Sequence, residues 1–174
     1  MKGEIKMRNE KINVMPSEKE ERSYILFAHK EDLKLIDKEN EIYMLKERKD
    51  AYVHTCGCAI AMAINFSFDG IIYKAIVCDS SFDRLPKYVQ KFIVLHEIGH
   101  HVNGDGNLSE KEKLRALAGR TIGILPKMKV NADKYAYSVM GEKAKSALKF
   151  LLCRTNVKFI AKTELMKRIM KIDR

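Results

Sequence analysis

Residues 71–101 read IIYKAIVCDSSFDRLPKYVQKFIVLHEIGHH, and this stretch decides how the chain folds. Its opening, Ile71 to Cys78, is dense in β-branched and apolar side chains and predicts a strand. Pro86 suits the first turn of a helix, and the residues from Lys87 to Asn103 predict one continuous helix. The chain therefore passes from a strand, through a loop at 79–85, into a long helix.

A second strand is predicted just before this one. Between Cys58 and Ile64, larger apolar residues alternate with alanine, which is the period of two of a half-buried strand. Asp69-Gly70 then precedes the strand at 71–78 and is the strongest short signal for a hairpin. We therefore expect the two strands to pair antiparallel.

The N-terminal third of the chain carries weaker signals. Residues 1–15 are polar and charged without a clear period, which predicts a flexible N-terminal arm. Ser17 with Glu20 three residues later forms a capping-box pattern and predicts a helix over 18–28. The charge-rich segment 31–49 is interpreted as further helix.

The C-terminal half predicts helices. Four are expected after the first long one, at 109–118, 126–141, 143–152 and 156–172. The order of helix, hairpin and then helices predicts an α+β fold. A single domain over 16–174 is expected, with a basic helical part at 142–174.

Composition predicts a folded, cytoplasmic protein. Hydrophobic residues make up 46% of the 174 residues and charged residues 32%, which is typical of a globular chain. No apolar run approaches the ~18–20 residues of a membrane span, and the N-terminus has no signal-peptide pattern. Four cysteines without an export signal are expected to be reduced thiols. Cys56 and Cys58 lack a second ligand pair, so a structural zinc there is not favoured.

The net charge of +10 is concentrated near the C-terminus. Residues 143–174 carry ten Lys and Arg against Glu164 and Asp173, a balance of +8. A solvated helix face is the favoured interpretation. Nucleic acid, an anionic membrane and an acidic partner are the alternatives, but no groove-reading motif accompanies the charge.

His96, Glu97 and His100 form an HExxH pattern inside the predicted long helix. Residues four apart share a helix face, so the two imidazoles can bind one Zn²⁺ ion at ~2.0–2.1 Å. Glu97 lies beside them and can take a proton from a zinc-bound water and pass it to a leaving amine. The pattern therefore predicts a zinc-dependent peptidase with His96 and His100 as metal ligands and Glu97 as the catalytic base.

The residues around the pattern support this interpretation. Phe92, Ile93 and Leu95 give the helix an apolar face, on which charged residues are costly unless they serve a purpose. Gly99 supplies a small residue where another helix can pack closely. His101 points about 100° away from His100 and is not expected to be a ligand.

The stretch 71–101, followed by NADKYAYSVMG at 131–141, resembles the ImmA/IrrE-type metallopeptidases of mobile elements. It is also similar to the soluble core of HtpX-like and CAAX-processing peptidases, over roughly 59–152. The resemblance implies a compact zincin-like domain that cleaves a protein or peptide substrate, with a repressor-like regulator as one candidate. It also implies that the strand before the active-site helix, Ile71 to Cys78, is an edge strand that pairs with extended substrate.

The sequence departs from these families at the third metal ligand. Their ExxAD motif has a ligating Glu where this chain has Lys129, and an ammonium cannot ligate zinc while charged. Asp133 is therefore predicted as the third ligand, with a hydrogen bond to a histidine as its alternative role. Tyr137, one turn later, could stabilise an oxyanion or be a core aromatic. Glu110 and Glu112 are further candidates for the missing ligand.

Two functions follow from the sequence. The first is a zinc endopeptidase in which Glu97 activates a zinc-bound water. The second, suggested by Lys129, is a catalytically impaired zincin scaffold that binds a protein or nucleic acid.

Overall fold

The structure is a computed structural model, and it describes residues 11–14, 26–29, 33–46, 60–68, 71–105, 127–153 and 159–172. The strands in these residues are β1 Lys11–Val14, β2 Leu26–His29, β3 Lys34–Asp37, β4 Ile42–Lys46, β5 Ala61–Phe68 and β6 Ile71–Cys78. The α-helices in these residues are α1 Lys87–Val102, α2 Lys127–Met140, α3 Glu142–Cys153 and α4 Phe159–Lys171. The predicted α+β class is confirmed.

Four of the strands form one mixed sheet in the order β3-β4-β6-β5. The β5 and β6 strands pair antiparallel, with Ala63 opposite Ile76, which confirms the predicted hairpin partners. The β4 strand runs parallel to β6 on its other side. The β1 and β2 strands form a separate antiparallel pair, and β1 lies close to β5.

The prediction that Ile71–Cys78 is an edge strand is wrong. This strand is β6, and it is hydrogen-bonded to β4 on one side and to β5 on the other. Its second half, from Ala75 to Cys78, is buried on both faces, which is typical of a central strand. The strand at the sheet's edge nearest to β6 is β5.

Helix was also the wrong prediction for the charged segment before the hairpin. Within 31–49 the structure has β3 and β4, joined by a tight turn. The Asp37 carboxylate builds that turn, because it accepts hydrogen bonds from the backbone N–H groups of Glu39 and Asn40. Ile42 and Leu45 on β4 are buried, and a five-residue strand with two core residues is too short to show a period.

Two N-terminal predictions are corrected in part. Leu26–His29 is strand β2, although residues 26–28 were assigned to a helix. Lys11–Val14, inside the predicted flexible arm, is strand β1 and pairs with β2.

The helices after the hairpin agree closely with the sequence. The predicted helices at 126–141, 143–152 and 156–172 appear as α2, α3 and α4. Helix α1 contacts β5 and β6, α2 and α3 pack on α1, and α4 packs on α2 and α3. The core between these elements is formed by buried apolar residues from all of them, including Ile42, Ile76, Phe82, Val89, Phe92, Ile98, Ala136, Ala144, Leu148, Leu165 and Ile172.

Several predictions fall outside the described residues. These are the helix at 109–118, the Asp69-Gly70 turn, the Cys56 and Cys58 pair, and the ligand candidates Glu110 and Glu112. Of the helices that the structure describes, none is long and apolar enough to cross a membrane.

Candidate functional site

Helix α1 carries the HExxH residues on its inward side. Val89, Phe92 and Ile93 are buried in the core and fix the orientation of the helix. The Phe92 ring lies beside the His96 ring, with 6.0 Å between their centroids. His96 is 4% exposed, so this imidazole is positioned by packing before any ligand binds.

The two imidazoles converge on one point. The Nε2 atoms of His96 and His100 lie 3.2 Å apart, and the rings are nearly perpendicular. Two nitrogens bound to one tetrahedral zinc at ~2.0–2.1 Å are separated by roughly 3.3 Å. The observed spacing therefore fits a pair of zinc ligands.

Asp133 on α2 holds His96 from the opposite side of the ring. Its Oδ1 lies 2.8 Å from Nδ1 of His96, and both side chains are almost completely buried. Burial alone would raise the pKa of Asp133, but hydrogen bonds from Arg168 and His96 outweigh it and lower the pKa to about 2. An ionised carboxylate can only accept, so the proton between the two groups belongs to Nδ1 of His96.

His100 has the same kind of partner. Its Nδ1 lies 2.7 Å from Oδ2 of Asp105, which follows α1 after Gly104. A carboxylate on Nδ1 selects the tautomer in which Nε2 carries a lone pair, as in metal sites where a second carboxylate orients each histidine.

This arrangement tests whether zinc would fit. With both rings neutral and both Nδ1 atoms protonated, two Nε2 lone pairs face each other at 3.2 Å and repel. A cation between them turns that repulsion into attraction, and imidazole nitrogen is an ordinary zinc ligand. His96 and His100 therefore fit a metal ion.

Asp133 has the alternative of its two predicted roles, a hydrogen bond to a histidine, and does not lie beside the Nε2 atoms as a third ligand would. Both of its oxygens are engaged on the Nδ1 side of His96, away from the Nε2 pair. Among the residues that the structure describes, no three His, Cys, Asp or Glu side chains form a group that could hold a metal. The geometry thus provides two imidazole nitrogens that converge and a carboxylate on the Nδ1 of each ring.

Glu97 is buried next to the edge of the sheet. Its Oε2 accepts a hydrogen bond of 2.9 Å from the backbone N–H of Ala63 on β5. Burial raises the pKa of Glu97, while the positive charge of Lys129 acts in the opposite direction. A raised pKa suits a carboxylate that both accepts and donates a proton near neutral pH.

Gly99 lets α1 and α2 approach closely. A Cβ atom placed on Gly99 would lie 2.9 Å from the Cα of Ala132, which is closer than real Cβ atoms come. Ala132 and Ala136 are fully buried in the contact. The close packing expected from the small residue is confirmed, and it brings Asp133 within reach of His96.

Lys129 occupies the first turns of α2 and lies near the site. It is half-buried, and its charge lowers the pKa of both His96 and Glu97. For His96 the main cause is burial, which together with the Arg168 charge lowers the pKa to about 3. The site therefore contains a positive charge where the resembled families have a carboxylate.

Tyr137 and His101 have contacts away from the Nε2 pair. The Tyr137 hydroxyl donates to Oε1 of Glu142, in an exposed position at the start of α3. The Lys145 ammonium lies over the same ring, so Tyr137 joins α2 to α3. The His101 side chain does not point toward the Nε2 pair. Its Nε2 makes a 3.0 Å hydrogen bond to the carbonyl of Ala75 on β6.

Sequence reasoning missed two residues of the site, Asp105 and Arg168. Asp105 follows the helix by three residues, and nothing in a local pattern indicates that it turns back onto His100. Arg168 on α4 is buried and contacts Asp133 with two hydrogen bonds of 2.6 Å. Its signal is its spacing, because Leu165, Arg168 and Ile172 share one buried helix face.

The chain was compared with protein-family models, with curated proteins and with solved structures, and none of the three comparisons gave a match.

Proposed function

We propose that this protein is a zinc-dependent endopeptidase, with His96 and His100 as metal ligands and Glu97 as the catalytic base. The observation that carries the proposal is the pair of Nε2 atoms 3.2 Å apart, each on a ring whose Nδ1 is held by a carboxylate. Histidines that bind a metal commonly have a carboxylate on the nitrogen that does not face the ion, and their ligating nitrogens converge on one point. Both features are present here.

Zinc bound at this point would polarise a peptide carbonyl and the attacking water. The residues of the chain supply the proton transfers. Glu97 is adjacent to His96 on the helix, and its Oε2 is fixed by Ala63, so proton transfer falls to Oε1. Its raised pKa makes Glu97 a stronger base toward the attacking water, and the leaving amine, which is more basic than a carboxylate, then takes the proton.

The β5 strand is the proposed site for an extended substrate. It forms an edge of the four-stranded sheet, and Ala63 turns its N–H away from β6 toward Glu97. Backbone groups alternate in direction along a strand, so Ala61 and Asn65 present theirs on the same edge. A peptide aligned along this edge passes the catalytic carboxylate, which assigns to β5 the role first expected of β6.

Zinc binding is the first test. Purified without chelator and supplied with zinc, the full chain should bind about one ion, because two oriented imidazoles are already in place. His96→Ala and His100→Ala should each abolish stoichiometric binding. His101→Ala is the matched control, since it removes a neighbouring imidazole that contacts a backbone carbonyl. A wild-type chain without stoichiometric zinc would disprove the proposal.

Glu97→Gln is the second test. The substitution keeps the shape and the Ala63 hydrogen bond but removes the proton acceptor, so peptide cleavage should fall at least ~10²-fold while zinc is retained. Glu39→Gln, in the exposed turn between β3 and β4, is the matched control and should cleave like wild type. Equal cleavage by the Glu97 variant would show that the catalytic assignment is wrong.

Lys129 supports a second candidate, a zincin scaffold without catalysis that binds a protein or nucleic acid. Its charge acts on His96 and Glu97 and opposes a cation between the imidazoles. Lys129→Glu separates the two functions. If the wild type is an active enzyme, cleavage should not require this change. Zinc binding and cleavage that appear only in the Lys129→Glu variant would favour the scaffold.

A further inference from the structure

The C-terminal helix α4 reaches the site through one buried side chain. Arg168 is 9% exposed, and two nitrogens of its guanidinium face the Asp133 carboxylate. Nε donates to Oδ2 and Nη2 donates to Oδ1, each at 2.6 Å. The same Oδ1 accepts from Nδ1 of His96, and Nη2 lies 3.4 Å from that nitrogen, so three side chains from three helices form one cluster of contacts.

The fork geometry matters more than the charge alone. A carboxylate held at one oxygen can rotate about its last bond, whereas a planar guanidinium bound to both oxygens fixes the carboxylate plane. Asp133 has no freedom to turn away from His96 while Arg168 is in place. The ion pair is also buried, so water does not compete for its hydrogen bonds.

A fixed Asp133 selects one form of His96. With an ionised oxygen 2.8 Å away, the imidazole keeps its proton on Nδ1 and presents the Nε2 lone pair. If the carboxylate were free to move, either nitrogen of a neutral ring could hold the proton. Protonated Nε2 cannot bind a metal.

We propose that Arg168 is a positioning residue of the metal site, which holds Asp133 so that His96 directs an unprotonated Nε2 toward His100. Its consequence for zinc rests on the proposed function. The C-terminal basic segment then contributes a structural part of the site.

The experiment uses the full chain in three forms. Arg168→Met removes the charge and the fork, and Arg168→Lys keeps the charge without the fork. Lys171→Met is the matched control, because it removes a positive charge from an exposed position on the same helix. Two quantities are measured: the protonated ring nitrogen of His96 by ¹⁵N NMR without zinc, and the zinc dissociation constant by chelator competition.

We expect His96 to be the Nδ1–H form in wild type and in Lys171→Met, and a mixture of tautomers in both Arg168 variants. Zinc binding should weaken at least ~10-fold in the Arg168 variants, the usual size of effects on partners of a ligand. In an Asp133→Asn background, Arg168→Met should change zinc affinity by less than ~2-fold, because both substitutions disrupt the same contact.

The readouts separate the two proposals. If wild type binds no zinc, the peptidase proposal fails, and the tautomer of His96 still decides the role of Arg168. If Arg168→Met does not fold, Arg168→Lys decides it. A folded Arg168→Lys variant with the wild-type His96 tautomer and unchanged zinc affinity would overturn the positioning role. Full additivity with Asp133→Asn would also overturn it.

Discussion

The two histidines of the site are oriented by the same contact in two different surroundings. The side chains of His96 and Asp133 are 5% and 1% exposed, and Nη2 of Arg168 lies 2.6 Å from Oδ1 of Asp133 and 3.4 Å from Nδ1 of His96. His100 and Asp105 are 12% and 14% exposed and lie where α1 ends. One pair lies where three helices meet, whereas the other lies at the C-terminal end of α1.

The difference in burial changes how much each contact contributes to folding. In a buried site, water cannot solvate the charge that remains when one partner of an ion pair is removed. The protein then bears the full desolvation cost of that charge. Near the surface, water takes over the lost hydrogen bond at little cost. We therefore expect the Asp133 side to be coupled to folding and the Asp105 side to be nearly independent of it.

The largest predicted effect is on the stability of the metal-free protein. Asp133→Ala leaves the Arg168 guanidinium buried without its carboxylate, which should lower the free energy of unfolding by about 3–5 kcal/mol. Asp105→Ala should lower it by about 1 kcal/mol or less. Urea unfolding in the presence of EDTA measures both. Equal losses would mean that burial does not distinguish the two pairs.

Zinc affinity should also fall more for a change at Asp133 than for the same change at Asp105, although the difference should be smaller than for stability. Asp133→Asn keeps the shape, but its amide NH₂ cannot accept from Arg168, so the side chain loses its fixed orientation. We expect zinc to bind 10–100-fold more weakly, at about the size known for partners of ligating histidines. Asp105→Asn should weaken binding less than ~10-fold. Chelator competition on both variants gives the ratio, and a ratio below one would reverse the comparison.

Two glycines offer a matched pair of substitutions. Gly99 lies on the side of Asp133, and Gly104 lies on the side of Asp105. Gly99→Ala would press a Cβ against the Cα of Ala132 and force α1 and α2 apart, at about 1–3 kcal/mol. Gly104 has φ of +70°, and no atom of the described residues lies within 4 Å of a Cβ placed there, so Gly104→Ala should cost the backbone strain, about 1 kcal/mol. The first variant should also weaken zinc binding, because it moves Asp133 from His96. A Gly99→Ala protein as stable as wild type would contradict the close helix contact.

The parts of this molecule that the sequence could predict are those determined by local spacing. His96, Glu97 and His100 share a helix face at any packing, and α2 was placed within a residue at each end. The role of β6 could not be predicted, because its parallel partner β4 lies in a charged segment some thirty residues earlier. Arg168 was one basic residue among ten near the C-terminus. Its contact with Asp133 depends on how α4 packs, which no local pattern contains.

Stability on the buried side should also depend on pH. Burial lowers the pKa of His96 to about 3, whereas an unfolded histidine titrates near 6.5. Between these values the unfolded chain binds the extra proton, so the free energy of unfolding falls as the pH falls, by up to about 1.4 kcal/mol per pH unit.

Glu97 opposes this trend, because its raised pKa lets the folded state bind a proton above the normal range for glutamate. The contribution of His96 is therefore measured as a difference between wild type and His96→Gln, both with EDTA. Between pH 6.5 and 4.5, wild type should lose stability more steeply than the variant, which has no proton to bind at this position. Parallel curves would show that His96 takes up its proton equally in the folded and unfolded chains. Burial would then not separate this pair from the less buried pair of His100 and Asp105.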